Sequence, residues 1–362
     1  NHITGLDFPF TRHEFLLALE DSGAVSKEMG WQPQHITVYN NDKLIAVMPA
    51  YLKGHSYGEY VFDFEWANAY QRHGLHYYPK LITAIPFTPA TGPRLCCLPG
   101  EDEGAVCAAI LAAVKALALE KQLSSWHILF PEKSLSQTLS SLKLPQRQAV
   151  HFQWHNKNYQ SFDDFLARFA SRKRKNLSKE RQKITAQGIQ LEVVSGAQIS
   201  DEMWRCFFTF YQMTYAKRSG HGGYLNKTFF TMIGQTLADK IVLVMAKVDG
   251  EYVAGALNFK SQDTLYGRYW GAIDEYDGLH FEACYYQGIE YCIQHQLQRF
   301  DPGVQGEHKI KRGFEPTYTY SNHWLSDKPF AQAIEHFLIE EQGYLQDYKL
   351  QTEKQLPFKS AS

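Results

Sequence analysis

The sequence predicts an α/β (α+β) protein with two domains, and three observations support this prediction. The chain has 362 residues, whereas an ordinary domain has ~100–200. Helical hydrophobic periods alternate with strand-like runs along the chain. A hairpin followed by "YGEY" and "HGLHYY" in the first half is echoed by a hairpin followed by "YGRY" and "DGLHFE" in the second. The echo predicts an internal duplication, with chance similarity as the alternative.

The first half begins with a predicted helix, in which apolar Phe15, Leu16 and Leu19 recur at helical spacing before Gly23. Two β-rich runs in "HITVYNNDKLIAVMPAYL" flank the turn letters "NND" and therefore predict a hairpin. Residues 102–122 form the clearest predicted helix, because acidic residues start it and a lysine lies near its end. The run "SSWHILF" then predicts a short strand.

A polar stretch with Pro145 places the predicted domain boundary near residue 150, so that the domains are 1–150 and 151–362. Ser161 and Asp164 form an acidic variant of the capping box, which predicts a helix start and opens the second domain ahead of a basic helix. The elements predicted beyond it are a strand at "IQLEVV", helices at 201–218 and 226–238, a hairpin turning at 249–250, a strand at "TLYGRYWGA" and a helix at 281–297.

Charge and cysteine usage limit the class of protein. Lysine and arginine (37) nearly balance aspartate and glutamate (38), so the chain as a whole does not attract nucleic acid or membrane. The six cysteines form no CxxC pair, which favours reduced thiols in a cytoplasmic protein over disulfides or a metal site. No apolar run approaches the ~18 residues of a membrane span. The sequence starts at Asn1, which leaves open whether a leader precedes it.

Several motifs along nearly the whole chain are shared with a known family. They are "WQPQHITV", "YLKGHSYGEYVFDFEWANAYQRHG", "YYPKL", "PFTPATGPRL", "RKRKNLSKERQKITAQGI", "GRYWGA", "LHFEACYYQGIEYCI" and "RFDPGVQGEHKIKRGFEPTYTYS". In these motifs the chain resembles the bacterial FemAB-like family of predicted N-acyltransferases, relatives of the Fem peptidyl transferases and the GCN5-related acetyltransferases. The resemblance implies two tandem GCN5-related acyltransferase-like domains with mixed, mainly antiparallel sheets.

The resemblance also implies a reaction, the transfer of an acyl or aminoacyl group to an amine of a peptide or cell-envelope precursor such as that of peptidoglycan. Acyl-CoA or aminoacyl-tRNA would be the donor, no metal would be needed, and tRNA would be a possible partner beside the anionic precursor. Many acetyltransferases of this kind bind pyrophosphate at a Q/R-x-x-G-x-G/A loop, but here Arg268 and Gly271 are followed by Ile273 at the last position. This departure weakens the expectation of coenzyme A.

A cluster of positive charge at residues 168–183 is the candidate site for donor phosphates. Eight basic residues and one acidic residue give this segment a charge of +7 in a chain of net charge −1. A solvated helix face is the alternative. Consecutive basic residues repel one another, however, and an anionic partner would relieve that repulsion. The predicted phosphate-binding residues are Arg172, Arg174, Lys175 and Asn176.

The helix that follows "GRYWGA" carries two candidate catalytic residues. Glu282 lies in its first turn and is a candidate general base for the attacking amine. A carboxylate at that position also stabilises the helix through its dipole, so a purely structural charge is the alternative. Tyr285 is a candidate proton donor to the leaving group, although a chain with 22 tyrosines buries many of them in its core.

A further set of residues is predicted to bind the substrate. Arg268 and Trp270 lie on one face of the "YGRYW" strand, and a buried arginine there needs an acidic partner or a ligand. In the echo, Glu59 is the counterpart of Arg268. The polar and aromatic group around Glu59 suits a substrate groove or, equally, a structural network; its members are His55, Tyr57, Glu59, Tyr60, Asp63 and Trp66.

The segment "FDPGVQGEHKIKRGFEP" carries more charge than a turn requires. Within it His308 is a candidate catalytic acid or base. The residues predicted to bind an anionic acceptor or line its site are Asp301, Glu307, Lys309 and Arg312. The alternative is a segment that only braces the domain interface.

No HExxH, GxSxG, P-loop or CxxC motif supports a metalloprotease, serine hydrolase or nucleotide hydrolase. The sequence therefore predicts an N-acyltransferase. A non-catalytic binding module that recognises an anionic glycopeptide or RNA is the alternative.

Overall fold

The computed structural model describes residues 1–304 and 306–359, which form two compact units. Unit 1 comprises Asn1–Val150 and Tyr318–Tyr348. Unit 2 comprises His151–Thr317 and the described residues from Lys349 onward. The predicted boundary assigns 318–348 to the second domain instead, because the hydrophobic pattern of a segment does not show which sheet the segment joins.

Strands account for much of the described chain, and most are short. They are β1 (Trp31–Pro33), β2 (Ile36–Asn40), β3 (Lys43–Met48), β4 (Tyr51–Lys53), β5 (Lys80–Thr83), β6 (Cys96–Cys97), β7 (Ser125–Leu129), β8 (Gln146–His155), β9 (Gln190–Ser195), β10 (Ile241–Val248), β11 (Glu251–Lys260), β12 (Thr264–Ala272), β13 (Arg299–Asp301) and β14 (Glu315–Leu325).

Helices cover the remaining regular structure. They are α1 (His13–Asp21), α2 (Phe64–Arg72), α3 (Glu103–Lys121), α4 (Lys133–Ser141), α5 (Phe162–Ala167), α6 (Ser171–Ala186), α7 (Asp201–Ser219), α8 (Lys227–Thr236), α9 (Leu279–Phe281), α10 (Gln287–Gln294) and α11 (Lys328–Glu353). A π-helical turn, Glu282–Tyr286, joins α9 to α10, and Glu307–Arg312 forms a 3₁₀ helix.

The two units repeat one strand arrangement. In unit 1, β4 pairs antiparallel with β5, β5 pairs parallel with β7, and β7 pairs antiparallel with β14. In unit 2, β11, β12, β13 and β8 follow the same sequence of directions. The predicted fold class, α/β with mixed sheets, is confirmed.

The repeated letters in the sequence do not occupy equivalent positions in the two units. The letters "YGRY" lie on β12, whereas "YGEY" lies in the loop after β4. By its pairing, β5 is the unit 1 strand that corresponds to β12. Glu59 is therefore not the counterpart of Arg268, because a few shared aromatic letters do not fix strand register.

The candidate site of unit 2 is positioned by the divergence of two parallel strands. β12 and β13 pair over only three positions, from Thr264 opposite Arg299 to Tyr266 opposite Asp301. β12 continues beyond this point to Ala272, paired there with β11. Helix α7 packs closely on β12, since a Cβ added at Gly271 would collide with the Phe210 backbone.

Several sequence predictions are met locally. Asp102 caps α3 by accepting hydrogen bonds from the Gly104 and Ala105 amides. Ser161 caps α5 through the Asp164 amide, as the capping box predicts. The six cysteines are free thiols. Among the described residues, none of the helices combines the length and the apolar character that crossing a membrane requires.

Buried histidines predict that unit 1 loses stability in acid. His127 and His323 share a hydrogen bond of 2.8 Å between their Nδ1 atoms, so the ring that accepts there must be neutral. Burial lowers the pKa of His127 to about 3 and lowers the pKa of His323 as well. The unfolded chain therefore binds more protons than the folded chain below pH ~6.5, and stability falls as the pH falls.

We expect the free energy of unfolding, measured by urea titration, to decrease between pH 7 and pH 5 by up to about 1.4 kcal/mol per pH unit for each such histidine. Burial also lowers the pKa of four histidines in unit 2, which act in the same direction: His151, His155, His280 and His308. Glu59, whose pKa burial raises to about 7, acts in the opposite direction. A free energy of unfolding that is constant or rises across this range would contradict the assignment of neutral, buried rings.

Candidate active site

A buried ion pair lies where β12 and β13 diverge. Arg268 donates through Nη1 and Nη2 to the two Asp301 carboxylate oxygens, at 3.3 and 3.2 Å. Both side chains are nearly inaccessible, at 2% and 5% exposure. Burial by itself would raise the pKa of Asp301, but the Arg268 charge holds that pKa below its usual range. The sequence prediction that Arg268 needs an acidic partner or a ligand is met here by Asp301.

Lys309 adds a second buried cation on the 3₁₀ helix that follows β13. Its Nζ donates to the Gly303 carbonyl at 2.7 Å and to the Pro302 carbonyl at 3.4 Å. Burial lowers the pKa of Lys309 to about 8, although the nearby Asp301 carboxylate raises it. Lys309 is only 1% exposed, which does not favour the predicted role in binding the acceptor. That role stays a prediction.

Arg312 makes two hydrogen bonds and one cation–π contact within unit 2. Its Nη2 donates to Glu180 Oε2 at 2.9 Å, and its Nη1 donates to the His308 carbonyl at 2.9 Å. The guanidinium carbon lies 3.5 Å from the centre of the Phe281 ring. These contacts correct the expectation that Arg312 is directed at an anionic acceptor, because the residue is buried and ion-paired within the unit. Glu307, in contrast, is exposed.

His308 and Tyr285 are brought together, as their joint assignment to catalysis requires. The Tyr285 hydroxyl lies 2.9 Å from His308 Nε2. Burial, together with the positive charges of Lys309 and Arg312, lowers the pKa of His308 to about 4, so the ring is neutral near pH 7. Burial raises the pKa of Tyr285. A neutral, half-buried imidazole next to a phenol can move protons between groups.

Trp270 on β12 contacts His280, and His280 in turn contacts Tyr285 of the Tyr285–His308 pair. The rings of Trp270 and His280 are 5.4 Å apart, and those of His280 and Tyr285 are 5.5 Å apart. Tyr285 belongs to the π-helical turn, a feature that is rare and often found at functional sites. Sequence patterns do not predict His280 as a neighbour of this cluster, since the π turn shifts the helical spacing on which such a prediction rests.

Glu282 is buried in an ion pair. Arg181 donates to both of its carboxylate oxygens, at distances of 2.7 to 3.2 Å, and Gln287 donates to Oε1 at 2.8 Å. Arg181 also donates to Glu290. The oxygens that a general base would use are therefore occupied. This arrangement favours the structural alternative for Glu282, and His308 is the better placed candidate base.

The basic helix α6 separates its charges along its length. Residues 171–176 are all exposed. In the described part of the chain no carboxylate pairs with the cations of this stretch, which contains the predicted phosphate-binding residues Arg172, Arg174, Lys175 and Asn176. Further along, Arg181 and Lys183 are paired with carboxylates. The free charge of α6 is thus concentrated at its N-terminal end, where the helix dipole also favours an anion.

Unit 1 contains a buried charged cluster centred on a lysine that sequence patterns do not single out. Lys80 is fully buried, and its Nζ donates to Ser56 Oγ and Glu59 Oε2, each at 2.8 Å, and to Asp63 Oδ2. Burial lowers the pKa of this ammonium, but the two carboxylates outweigh burial and raise it. One charged letter inside the mainly apolar run "YYPKLITAI" is the only sign of Lys80 in the sequence.

The predicted groove residues of unit 1 do not all face one surface. His55 and Tyr57 line a pocket of about 690 Å³. Glu59 and Asp63 are buried with Lys80 beneath it. Trp66 is also buried, and its ring lies 4.9 Å from the ring of His323. Tyr60 adopts a left-handed backbone conformation with φ of 60°. The alternative of a structural network therefore describes Glu59, Asp63 and Trp66 better than a groove does.

Comparison with known proteins identifies the family. The model of the FemAB-like family, described as peptidoglycan biosynthesis/recognition, matches residues 1–360. The chain belongs to the FemAB-like family. No curated protein matches the sequence. The resemblance seen in the sequence is therefore confirmed at the level of the family.

Two solved structures show how this FemAB-like chain compares in fold. It is similar to FemX, with 14% identity over 89% of this chain and 93% of FemX, at a TM-score of 0.52. It is also similar to L-PGS from Bacillus licheniformis, with 10% identity over 90% of this chain and 96% of that chain, at a TM-score of 0.51. At these identities the likeness establishes a shared fold.

The contacts of the 3₁₀ helix predict different stability effects for two of its residues. Arg312→Ala removes a buried guanidinium together with its hydrogen bonds to Glu180 and to the His308 carbonyl, so we expect a loss of roughly 2–3 kcal/mol in the free energy of unfolding. His308→Ala removes a half-exposed ring, so we expect a loss of about 1 kcal/mol or less. Urea titration of both variants measures the difference. Equal losses would contradict the distinct placement of these two side chains.

Proposed function

We propose that this FemAB-like protein is an N-acyltransferase that moves an aminoacyl group onto an amine of a peptidoglycan or other cell-envelope precursor. The observation that carries the proposal is the Tyr285–His308 pair, 2.9 Å apart, in the part of unit 2 that follows the divergence of β12 and β13. A neutral imidazole there is ready to accept the proton of an attacking amine.

In the proposed reaction the amine nitrogen attacks the carbonyl carbon of the donor ester, so that a C–N bond forms and the C–O bond breaks. His308 accepts the amine proton on Nδ1 while its Nε2 proton passes to the Tyr285 oxygen. Tyr285 gives its own proton to the departing oxygen, which completes the proton balance. Two adjacent groups thus serve as base and acid in one step.

The direction of the backbone amides along β12 supports the Trp270 amide as the hydrogen-bond donor that stabilises the oxyanion. The Ile273 amide donates across to the Val253 carbonyl of β11. Because donor direction alternates along an antiparallel strand, the Gly271 amide is directed towards β11 and the Trp270 amide away from it. The Ala272 amide, also directed away from β11, donates to the Thr214 hydroxyl at 3.1 Å. This leaves the Trp270 amide as the candidate oxyanion donor.

The segment after β12 disfavours coenzyme A. Three carboxylates, Asp274, Glu275 and Asp277, lie between β12 and α9, where a pyrophosphate-binding loop would require backbone amides and positive charge. Lys217 neutralises Glu275 at 2.6 Å, and Lys183 neutralises Asp277 at 2.9 Å. The exposed cations of α6 are a better site for donor phosphates. Together these features favour aminoacyl-tRNA over acyl-CoA.

A transfer assay tests the reaction. Purified protein is mixed with a soluble peptidoglycan stem-peptide precursor and either a mixture of ¹⁴C-labelled aminoacyl-tRNAs or ¹⁴C-acetyl-CoA, and label in the precursor is counted. We expect transfer from the aminoacyl-tRNA mixture only. His308→Gln should reduce that transfer by ~10²–10⁴-fold, the usual contribution of a general base. The matched control, His336→Gln on the exposed side of α11, should leave transfer unchanged.

The second candidate function, a binding module for an anionic glycopeptide or RNA, is favoured by the occupied oxygens of Glu282. It predicts no transfer from either donor, together with measurable binding of tRNA. Transfer that is equally rapid in wild type and His308→Gln would leave an enzyme but remove His308 from its mechanism.

The role of α6 predicts a salt-dependent phenotype. The triple change Arg172→Gln, Arg174→Gln and Lys175→Gln should weaken binding of unfractionated tRNA and reduce the log–log salt slope by up to about 2–3. Fluorescence anisotropy at several salt concentrations measures both quantities. A control with the same charge change uses three exposed lysines of unit 1: Lys115→Gln, Lys121→Gln and Lys133→Gln. Equal effects in the two triple variants would show that only net charge matters.

A further inference from the structure

One carboxylate oxygen joins the two segments that form the Tyr285–His308 pair. Glu180 Oε2 accepts a hydrogen bond from the Tyr286 hydroxyl at 2.6 Å and another from Arg312 Nη2 at 2.9 Å. Tyr286 follows Tyr285 directly in the π-helical turn. Arg312 in turn donates to the backbone carbonyl of His308. Glu180 is therefore connected to each member of the pair through a single intermediate residue.

We propose that Glu180 is a positioning residue, which holds the π-helical turn and the 3₁₀ helix at the separation that lets His308 bond to Tyr285. The proposal rests on the proposed function for its consequence in catalysis, but the geometry itself is independent of the substrate. Glu180 does not touch the His308 ring; it acts through Tyr286 and Arg312. Charge-assisted bonds of this length are among the stronger hydrogen bonds in proteins, and they restrict both partners.

The position of Glu180 on α6 gives this contact a further consequence. Glu180 lies four residues beyond Asn176, and so about 6 Å along the helix axis from the exposed cationic end. The next residue, Arg181, holds Glu282 and Glu290 on the same side of the site. Helix α6 thus carries the candidate phosphate-binding residues at its start and the positioning residue Glu180 further along.

The chain offers a matched control for Glu180. Glu192 on β9 accepts from the Tyr252 hydroxyl at 2.7 Å and pairs with Lys247 at 3.2 Å. Its side chain is 38% exposed, compared with 41% for Glu180. Each glutamate therefore joins one tyrosine and one cation at similar exposure in unit 2. A change to glutamine removes the same charge at both places, and only one of them is connected to His308.

The test follows the titration of the His308 ring by NMR in wild type, Glu180→Gln and Glu192→Gln. The chain has 15 histidines, and His308→Gln identifies the resonance by its absence. The titratable and charged groups that face His308 are Tyr285, His280, Lys309 and Arg312. In wild type we expect a pKa of about 4. In Glu180→Gln the ring should become more accessible, and its pKa should move towards the ordinary value of histidine.

Glu192→Gln should leave the His308 titration unchanged. Tyr286→Phe, which removes one of the two contacts to Glu180, should give a shift in the same direction as Glu180→Gln but smaller. It also supplies an independent reading if Glu180→Gln folds poorly. An unchanged His308 titration in both Glu180→Gln and Tyr286→Phe, or an equal change in Glu192→Gln, would overturn the positioning role.

The transfer assay then separates this inference from the proposed function. Misalignment of the pair should reduce kcat in Glu180→Gln by roughly 10- to 100-fold, with KM for the aminoacyl-tRNA mixture nearly unchanged. If His308 titration shifts while His308→Gln itself has full activity, Glu180 positions His308 and the proposed catalytic role of His308 is wrong. If KM rises and kcat is unchanged, Glu180 supports donor binding and the positioning proposal fails.

Discussion

The Arg268–Asp301 ion pair, at the point where β12 and β13 stop pairing, is the interaction on which the site of unit 2 depends. Asp301 is the last residue of β13, and its side chain also accepts from the Gly303 amide at 3.0 Å. The carboxylate therefore fixes both the end of the strand and the start of the chain that leads to His308. Removing two charges from water costs several kcal/mol per ion, so this arrangement persists only because the pair is hydrogen-bonded on both sides.

Divergence of the strands creates the need for such a pair. Beyond Tyr266, β12 has lost its parallel neighbour, and Arg268 donates to the Gly267 carbonyl at 2.7 Å there. Buried backbone carbonyls require donors, and a guanidinium can supply several at once. The chain that leaves β13 packs against Gly267 at this point and continues to the 3₁₀ helix that carries His308. Fold and candidate chemistry thus have one physical origin in unit 2.

Elements with strong local signals can be predicted from the sequence, and elements with weak ones cannot. Helix α3 has a cap and a long apolar face, and the β10–β11 hairpin has its turn residues at 249–250, so the sequence predicts both. Strands β5 and β13 have four and three residues, which is too short for any period to be visible. Their parallel pairing with distant strands is set by tertiary contacts alone.

In the candidate site, residues of one segment can likewise be predicted from the sequence, whereas their distant partners cannot. Polar letters crowded into one segment are enough to single out His308, Lys309 and Arg312. Their partners cannot be found in this way. Glu180 is 132 residues from Arg312, and no pattern in the chain links the two. The burial of Arg312, which changes its expected role, follows from that distant partner.

The charged residues of α6 fall into two groups along the helix. Leu177 and Ile184 mark its buried face, and Glu180 and Arg181 lie between them. A helical turn has 3.6 residues, so these four positions fall on one side. The consecutive cations at the start of the helix have no such face and remain in solvent. In the sequence the whole run resembles one basic patch, because net charge does not show which cations are already paired.

The most direct test of the catalytic role of His308 is the pH dependence of transfer in wild type relative to His308→Gln, with the aminoacyl-tRNA mixture as donor. The ratio of the two rates cancels the titration of the acceptor amine, which is common to both proteins. Because burial and two neighbouring cations lower the pKa of His308 to about 4, the ring stays neutral, and we expect a large ratio that is constant from pH 8 to about pH 5.5. A ratio that falls with a midpoint near the ordinary pKa of histidine, ~6.5, or a ratio near one throughout, would contradict this role.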